Sequence, residues 1–179
     1  GNISIPMNGA VPFYYGPSEE ERTRAMAEIV QNPFPITAKG LAEGKNLYTI
    51  YCGICHGDKG DGLGYLVRDD GGKYPAQPAI FTSDDFLNAS NGRYYYAIMY
   101  GKNVMGSYED KLSYEERWQV IHYIRSLQAA KNGTVYNEDA NTFNTVDIPG
   151  AQWKSDEDNM PAEPAGMHEE MSTESHSEH

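Results

Sequence analysis

The sequence predicts a helical domain flanked by two extensions, and three observations carry that reading. Ser18-Glu19-Glu20-Glu21 and Ser113-Tyr114-Glu115-Glu116 both have the spacing of a capping box, in which serine and glutamate side chains satisfy free amides at a helix start. Beyond the second box, Val120, Ile124 and Leu127 recur on one face at 100° per residue, with Ile121 on its flank. Helix stoppers (Pro33, Pro35, Gly101, Gly133) stand where such segments would end.

Taken in order, residues 1–17 hold three prolines and three glycines and predict an extended arm. A helix follows Ser18 to about Val30, its acids placed in the first turn where the helix dipole favours them. Asn32-Pro33-Phe34-Pro35 stops it. A second helix starts after Thr37 and reaches about Tyr51. Residues 53–72 contain seven glycines and predict a loop rather than an element. Residues 74–81 read as extended, residues 83–89 as a short helix, and residues 91–100 as a firmer one closed by Gly101. The last helix runs from Ser113 to about Ala130, with Asn132-Gly133 behind it.

These elements divide the chain into an arm with a short helix (1–37), a helical domain (38–132) and an acidic tail (133–179). Of the net charge of -12, residues 1–132 carry -2 (13 Lys/Arg against 15 Asp/Glu) and residues 133–179 carry -10 (Lys154 against 11 acids). An acidic balance argues against nucleic acid or anionic lipid as the main partner. By composition the tail should not order alone, because little apolar surface offsets the entropy of fixing it. Val146, Ile148, Trp153 and Met160 in the tail, and Ile3, Ile5, Val11 and Phe13 in the arm, are then expected to dock on neighbouring subunits. No apolar run approaches the roughly 20 residues of a membrane helix. The start at Gly1, without Met, predicts a removed N-terminal piece.

The chemistry concentrates at Cys52-Gly53-Ile54-Cys55-His56. With only two cysteines in the chain, a disulfide framework and a four-ligand zinc site both fail on ligand count. Two thiols three residues apart at a helix end match the two vinyl groups on one haem edge, and the next residue then lies beneath the iron. Cys52 and Cys55 are thus the expected attachment points of one covalent haem c, and His56 its axial ligand. A carbonyl in the 75–79 stretch should take the other ring N–H of His56. A redox-active dithiol is the competing reading. For the sixth ligand the candidates are Met99, Met105, His122 and the remoter Met7, Met26, Met160, Met167 and Met171. Met99 sits inside a helix beside tyrosines and is expected in the core. His122 lies about 140–160° from the apolar face and is expected to point to solvent. Met105, in a loop between two helices, is favoured. Tyr94, Tyr95 and Tyr96 are expected to pack rather than to relay radicals.

Gly44-Lys45-Asn46-Leu47-Tyr48, Tyr51-Cys52 with the haem motif, Gly60-Asp61-Gly62, Gly101-Lys102-Asn103-Val104-Met105 with Tyr108, and Glu116-Arg117-Trp118 with Tyr123, Ile124 and Leu127 resemble class I cytochromes c. The resemblance covers residues 38–130. It implies an all-α fold in which the first and last helices cross at Gly44, and His56 and Met105 as axial ligands. Pro78, Tyr108 and Trp118 are expected around the haem. Gly106 departs from the family, which usually places proline after the ligand methionine, and loosens that loop. The whole fold class is then an all-α class I cytochrome c fold with an extended arm and a long irregular tail.

A narrower resemblance lies in Asn32-Pro33-Phe34-Pro35-Ile36-Thr37 together with Glu116-Arg117-Trp118, which look like the mono-haem subunit of bacterial alternative complex III. It implies an electron-transfer subunit of a membrane-bound quinol-oxidising complex, not itself an enzyme. The implied partners are other subunits including a multi-haem cytochrome, and a terminal oxidase or soluble cytochrome as acceptor. The implied setting is the periplasmic face of the bacterial membrane, with partners or a lipid anchor holding the chain there. A free periplasmic carrier, and a five-coordinate catalytic or sensory haem, are the alternatives.

Overall fold

A computed structural model describes residues 13–67, 77–103 and 105–153. Helix α1 (Glu19–Glu28) is capped by Ser18, whose hydroxyl accepts from the Glu21 amide at 3.2 Å. Helix α2 (Ala38–Tyr51) is capped by Thr37, which accepts from the Gly40 amide at 2.9 Å. The glycine-rich stretch is not all loop: α3 (Gly53–His56) follows α2 at once, and a 3-10 turn covers Tyr65–Val67. The reason is local, because the amides of Cys55 and His56 both donate to the Cys52 carbonyl before Gly57, at φ 81°, turns the chain away. After α4 (Asp84–Leu87) come α5 (Asn91–Tyr100) and α6 (Tyr114–Asn132). Both halves of the Ser113–Glu116 capping box form, and Gly133 ends α6 in the left-handed region. Among the described residues there are no strands, only isolated bridges, so the fold is all-α.

Two glycines let helices touch backbone to backbone. A Cβ on Gly44 would lie 2.1 Å from the Gln119 carbonyl oxygen, so α2 and α6 cross where the resemblance implied. A Cβ on Gly92 would lie 2.1 Å from the Ala25 carbonyl oxygen, which brings α1 onto α5. Tyr48, Tyr95, Met99, Trp118, Val120 and Ile124 fill the core between these crossings. Tyr94, Tyr95 and Tyr96 are all buried, as a packing role requires.

Both extensions pack on the domain in their described parts. Phe13, expected to dock on a neighbour, instead lies 5.3 Å from the Tyr95 ring and 6.0 Å from that of Tyr100. Tyr96 donates to the Gly16 carbonyl at 2.7 Å. Ile3, Ile5, Val11 and Met160 fall outside the described residues.

Residues 134–153 correct the reading from composition. The Ile36 amide donates to Ile148 at 2.8 Å and the Gly150 amide donates to Ile36 at 2.7 Å, which seats the segment beside the start of α2. Tyr136 and Asp147 are buried, and Val146, Ile148 and Trp153 are half-buried on the chain's own surface. Only three of the tail's 11 acids (Glu138, Asp139, Asp147) fall in 134–153, which leaves eight beyond it. The described part of the tail is therefore not its strongly charged part. What fixes it is hydrogen bonding to one buried carboxylate: Asp147 accepts from the Asn32 amide, Asn91 Nδ2, Asn144 Nδ2 and the Tyr136 hydroxyl. Mean composition gives no weight to such a group.

The same segment explains His122, which is 1 % exposed and not solvent-facing as periodicity implied. Tyr136 covers it from the extension and Phe34 from the 32–36 stretch. Burial holds its pKa below the usual histidine value, against the opposing charge of Asp147, so the imidazole is neutral. Nε2–H donates to the Phe34 carbonyl at 2.9 Å, and the Tyr136 hydroxyl proton is shared between Nδ1 at 2.6 Å and Asp147 Oδ2 at 2.9 Å.

Candidate haem site

The end of α2 sets the site. Tyr48 accepts the Cys52 amide on its carbonyl at 2.8 Å and donates its buried hydroxyl to the Gly57 carbonyl at 2.7 Å, so one residue fixes both sides of α3. The loop then folds back, with the Gly62 amide donating to His56 at 2.8 Å and the Gly64 amide to Cys55 at 3.1 Å.

His56 is buried, and its Nδ1–H donates to the Ala79 carbonyl at 3.0 Å, within the stretch expected to supply that acceptor. Phe81 lies flat on the imidazole, with ring centres 4.4 Å apart and planes at 17°. Burial lowers the His56 pKa, and the bond to Ala79 only partly opposes it, so the ring is neutral. With Nδ1 committed as donor, the lone pair of Nε2 is available for a metal. Sequence reasoning passed over Phe81, and its only signal was an aromatic residue two places after the acceptor carbonyl.

The thiols of Cys52 and Cys55 are not bonded to each other. Burial pushes Cys52 up to about 12, with Cys55 adding to the shift, and burial also raises Cys55. A redox-active dithiol needs a depressed thiol pKa, so both shifts run the wrong way for it. Around the motif the surface is apolar: Ile54, Leu63, Tyr65 and Ile80 are 44 %, 61 %, 72 % and 39 % exposed. Large hydrophobic side chains left open beside a neutral imidazole and two thiols fit a flat apolar macrocycle bound there. Pro78 is half-buried in this rim, and Gln77 holds the stretch by donating to the Gly62 carbonyl at 3.1 Å.

Met105 sits half-buried in a tight turn, closed by 3.0 Å bonds in both directions between Lys102 and Met105, with Asn103 at φ 52°. Three residues on, Tyr108 donates its amide to Ile98 at 2.8 Å and its hydroxyl to the Tyr51 carbonyl at 3.2 Å. The turn is thus tied both to α5 and to the residue before Cys52. Of the other sixth-ligand candidates, Met99 is buried in the core and His122 has both ring nitrogens engaged. Met26 lines a surface groove with Asp84 and Arg93. Met7, Met160, Met167 and Met171 lie outside the described residues. Trp118 is buried against Tyr95, with ring centres 4.6 Å apart.

Residues 39–124 match the family model described as cytochrome c oxidase, cbb3-type, subunit III. No curated protein matches the chain. The matched stretch spans α2 to most of α6 and includes the Cys52–His56 motif and Met105. Helical architecture, haem motif and family match agree that this stretch is a c-type cytochrome domain of the class I, all-α kind, an electron-transfer domain carrying covalently bound haem c.

Proposed function

We propose that the chain is a mono-haem relay that passes single electrons between haem partners as a fixed subunit of a membrane-bound, quinol-oxidising complex on the periplasmic face. Cys52 and Cys55 form the thioether links, and His56 and Met105 ligate the iron. The observation that carries the ligand assignment is the buried, neutral His56, held through Nδ1 by Ala79 and adjacent to both thiols. When bound, the haem supplies a one-electron ferric–ferrous couple, and methionine ligation raises its potential. The chain's own residues fix the ring tautomer, keep water from the imidazole and keep the Met105 turn anchored to α5 and Tyr51.

Membership of such a complex rests on the likeness of the 32–37 and 116–118 segments to its mono-haem subunit. The expected partners are a multi-haem cytochrome within the complex, and a terminal oxidase or soluble cytochrome as acceptor. No described helix is long and apolar enough to cross a membrane. Partners or a lipid anchor are the proposed means of holding the chain in place.

Two measurements test the assignment. The native protein should keep haem after denaturation, and Cys52→Ala or Cys55→Ala should abolish two-point attachment. The ferric protein should show the near-infrared sulfur-to-iron band, lost in Met105→Ala and kept in Met99→Ala and His122→Ala. Gly106 loosens the turn that carries Met105, and ready binding of carbon monoxide by the wild type would count toward the five-coordinate alternative. Purification without other haem subunits would leave the free carrier as the reading.

A further inference from the structure

Gln128 lies on α6, beyond the family match that ends at residue 124, and is 0 % exposed. Its carboxamide orientation is fixed by Arg125, which can only donate: Arg125 Nη1 donates to Gln128 Oε1 at 3.1 Å. The nitrogen therefore faces the other way, and donates to the Phe81 carbonyl at 2.7 Å, the Tyr94 hydroxyl at 2.7 Å and the Phe86 carbonyl at 3.1 Å. Arg125 is itself buried, donating Nε to Asn91 Oδ1 at 3.0 Å and Nη2 to the Ala89 carbonyl at 2.6 Å. Asn91 in turn donates to Asp147 Oδ1 at 2.8 Å. A continuous hydrogen-bonded line thus runs from the C-terminal extension to Phe81.

Phe81 is where that line meets the haem site. Its amide donates to Gly60 at 2.8 Å, its carbonyl accepts from Gln128, and its ring covers His56. Two residues earlier, the Ala79 carbonyl takes the His56 Nδ1–H. Any apolar residue of similar size would fill the space of Gln128 without burying an amide. The buried amide adds the location of the 79–81 backbone.

We propose that Gln128 is a positioning residue for the axial histidine: it holds the 79–81 stretch so that the Ala79 carbonyl meets Nδ1–H and the Phe81 ring lies on the imidazole. Arg125, Asn91 and Asp147 hold Gln128 in turn, so the extension reaches the redox centre. This inference rests on His56 being an axial ligand. A hydrogen bond from Nδ1–H to a carbonyl raises the basicity of the ring and favours ferric iron. Loosening the stretch weakens that bond and shifts the balance toward ferrous iron.

The test uses the haem-loaded full chain. Gln128→Met and Gln128→Leu both keep about the volume and remove both N–H donors without adding a charge. In both, exchange of the His56 ring N–H, read by NMR of the ferrous protein, should speed up at least tenfold. The ferric-to-ferrous ratio at fixed potential should move about tenfold toward ferrous, about 59 mV for one electron. Tyr94→Phe also removes a buried hydrogen-bonding group beside Gln128 and should lower stability, yet leave both readings within twofold. If the Gln128 variants behave like Tyr94→Phe, or shift toward ferric iron, Gln128 only packs and the inference is wrong. If neither Gln128 variant yields haem-loaded protein, Asn91→Ala, which breaks the same line without changing a charge, is read the same way, with a two- to threefold shift expected and no shift overturning the inference. The wild type first has to show the shifted ring resonances of an iron-bound histidine in the ferric state. Their absence overturns both the site assignment and this inference, whereas their presence with unmoved variants overturns this inference alone.

Discussion

Helix α6 buries an apolar and a polar set of side chains along one broad arc, and different forces bury them. Trp118, Val120, Ile121 and Ile124 join the aromatic core. His122, Arg125 and Gln128, interleaved with them, are 1 %, 2 % and 0 % exposed, within the range of the buried aliphatic residues described. The apolar set gains by removing hydrocarbon from water, about 25 cal/mol per Å², with little demand on direction. The polar set gains about 1 kcal/mol net for each bond made, and loses about 1–3 kcal/mol for each group left unpaired. Its partners come from the 32–36 stretch, the 81–89 stretch, the start of α5 and the 134–149 extension, and all must arrive together. An apolar side chain tolerates approximate neighbours; a polar one needs particular atoms.

Ending the chain at Gly133 breaks the comparison most severely. It removes Tyr136 and Asp147, uncovers His122, strands the Asn32 amide, and leaves the Asn91 carboxamide with the Val30 carbonyl and Arg125 alone. Loss of a buried aromatic and a buried carboxylate should destabilise the haem-loaded protein by about 5 kcal/mol or more, read by urea unfolding. A stability unchanged by this cut would show the extension to be an appendage. The cut that isolates docking on partners therefore lies after Trp153, and it should weaken retention in a complex while leaving the optical spectrum intact.

Next in size is the packing of α2 on α6 at its closest point. Gly44→Ala places a methyl group 2.1 Å from the Gln119 carbonyl oxygen, so α2 and α6 have to separate. A loss of about 3 kcal/mol and poor yield of haem-loaded protein are expected. Near-normal yield would mean that the crossing is more forgiving than the contact implies.

The smallest effect sharpens the contrast most. Ile124→Val should lower stability by about 1 kcal/mol at every pH, because packing carries no proton. His122→Gln keeps one donor for the Phe34 carbonyl and one acceptor for Tyr136, so its effect near pH 7 should be within about 1 kcal/mol. The pH profile separates them. Burial depresses the His122 pKa in the fold, so the unfolded chain binds the proton more readily. Wild-type stability should therefore fall as pH drops below about 6.5, and the glutamine variant should lose that part of the slope. Parallel profiles for wild type and His122→Gln would show that His122 is not buried as a neutral ring.

Which parts were readable follows from the same contrast. Ser18, Thr37 and Ser113 cap helices through bonds within four residues, and the starts of α1, α2 and α6 follow from them. The Cys52–His56 motif is local too, and its acceptor could be narrowed to five residues because the chain has to return past the histidine. His122 could not be placed, because helical periodicity counts a polar residue opposite the apolar stripe as exposed. Phe81 and Gln128 escaped notice for a related reason: their roles depend on each other across 47 positions of sequence.

By itself, then, the sequence determined α1, α2, α4, α5 and α6, the caps of α1, α2 and α6, the haem motif and the methionine turn, since each depends on residues close together in the chain. Only the tertiary structure decided that residues 134–153 belong to the folded unit, that His122 is covered, and that Asp147 is joined through Asn91, Arg125 and Gln128 to the ring on His56. Hydrogen bonds between buried polar groups depend on distance and direction in space, and composition and periodicity record neither.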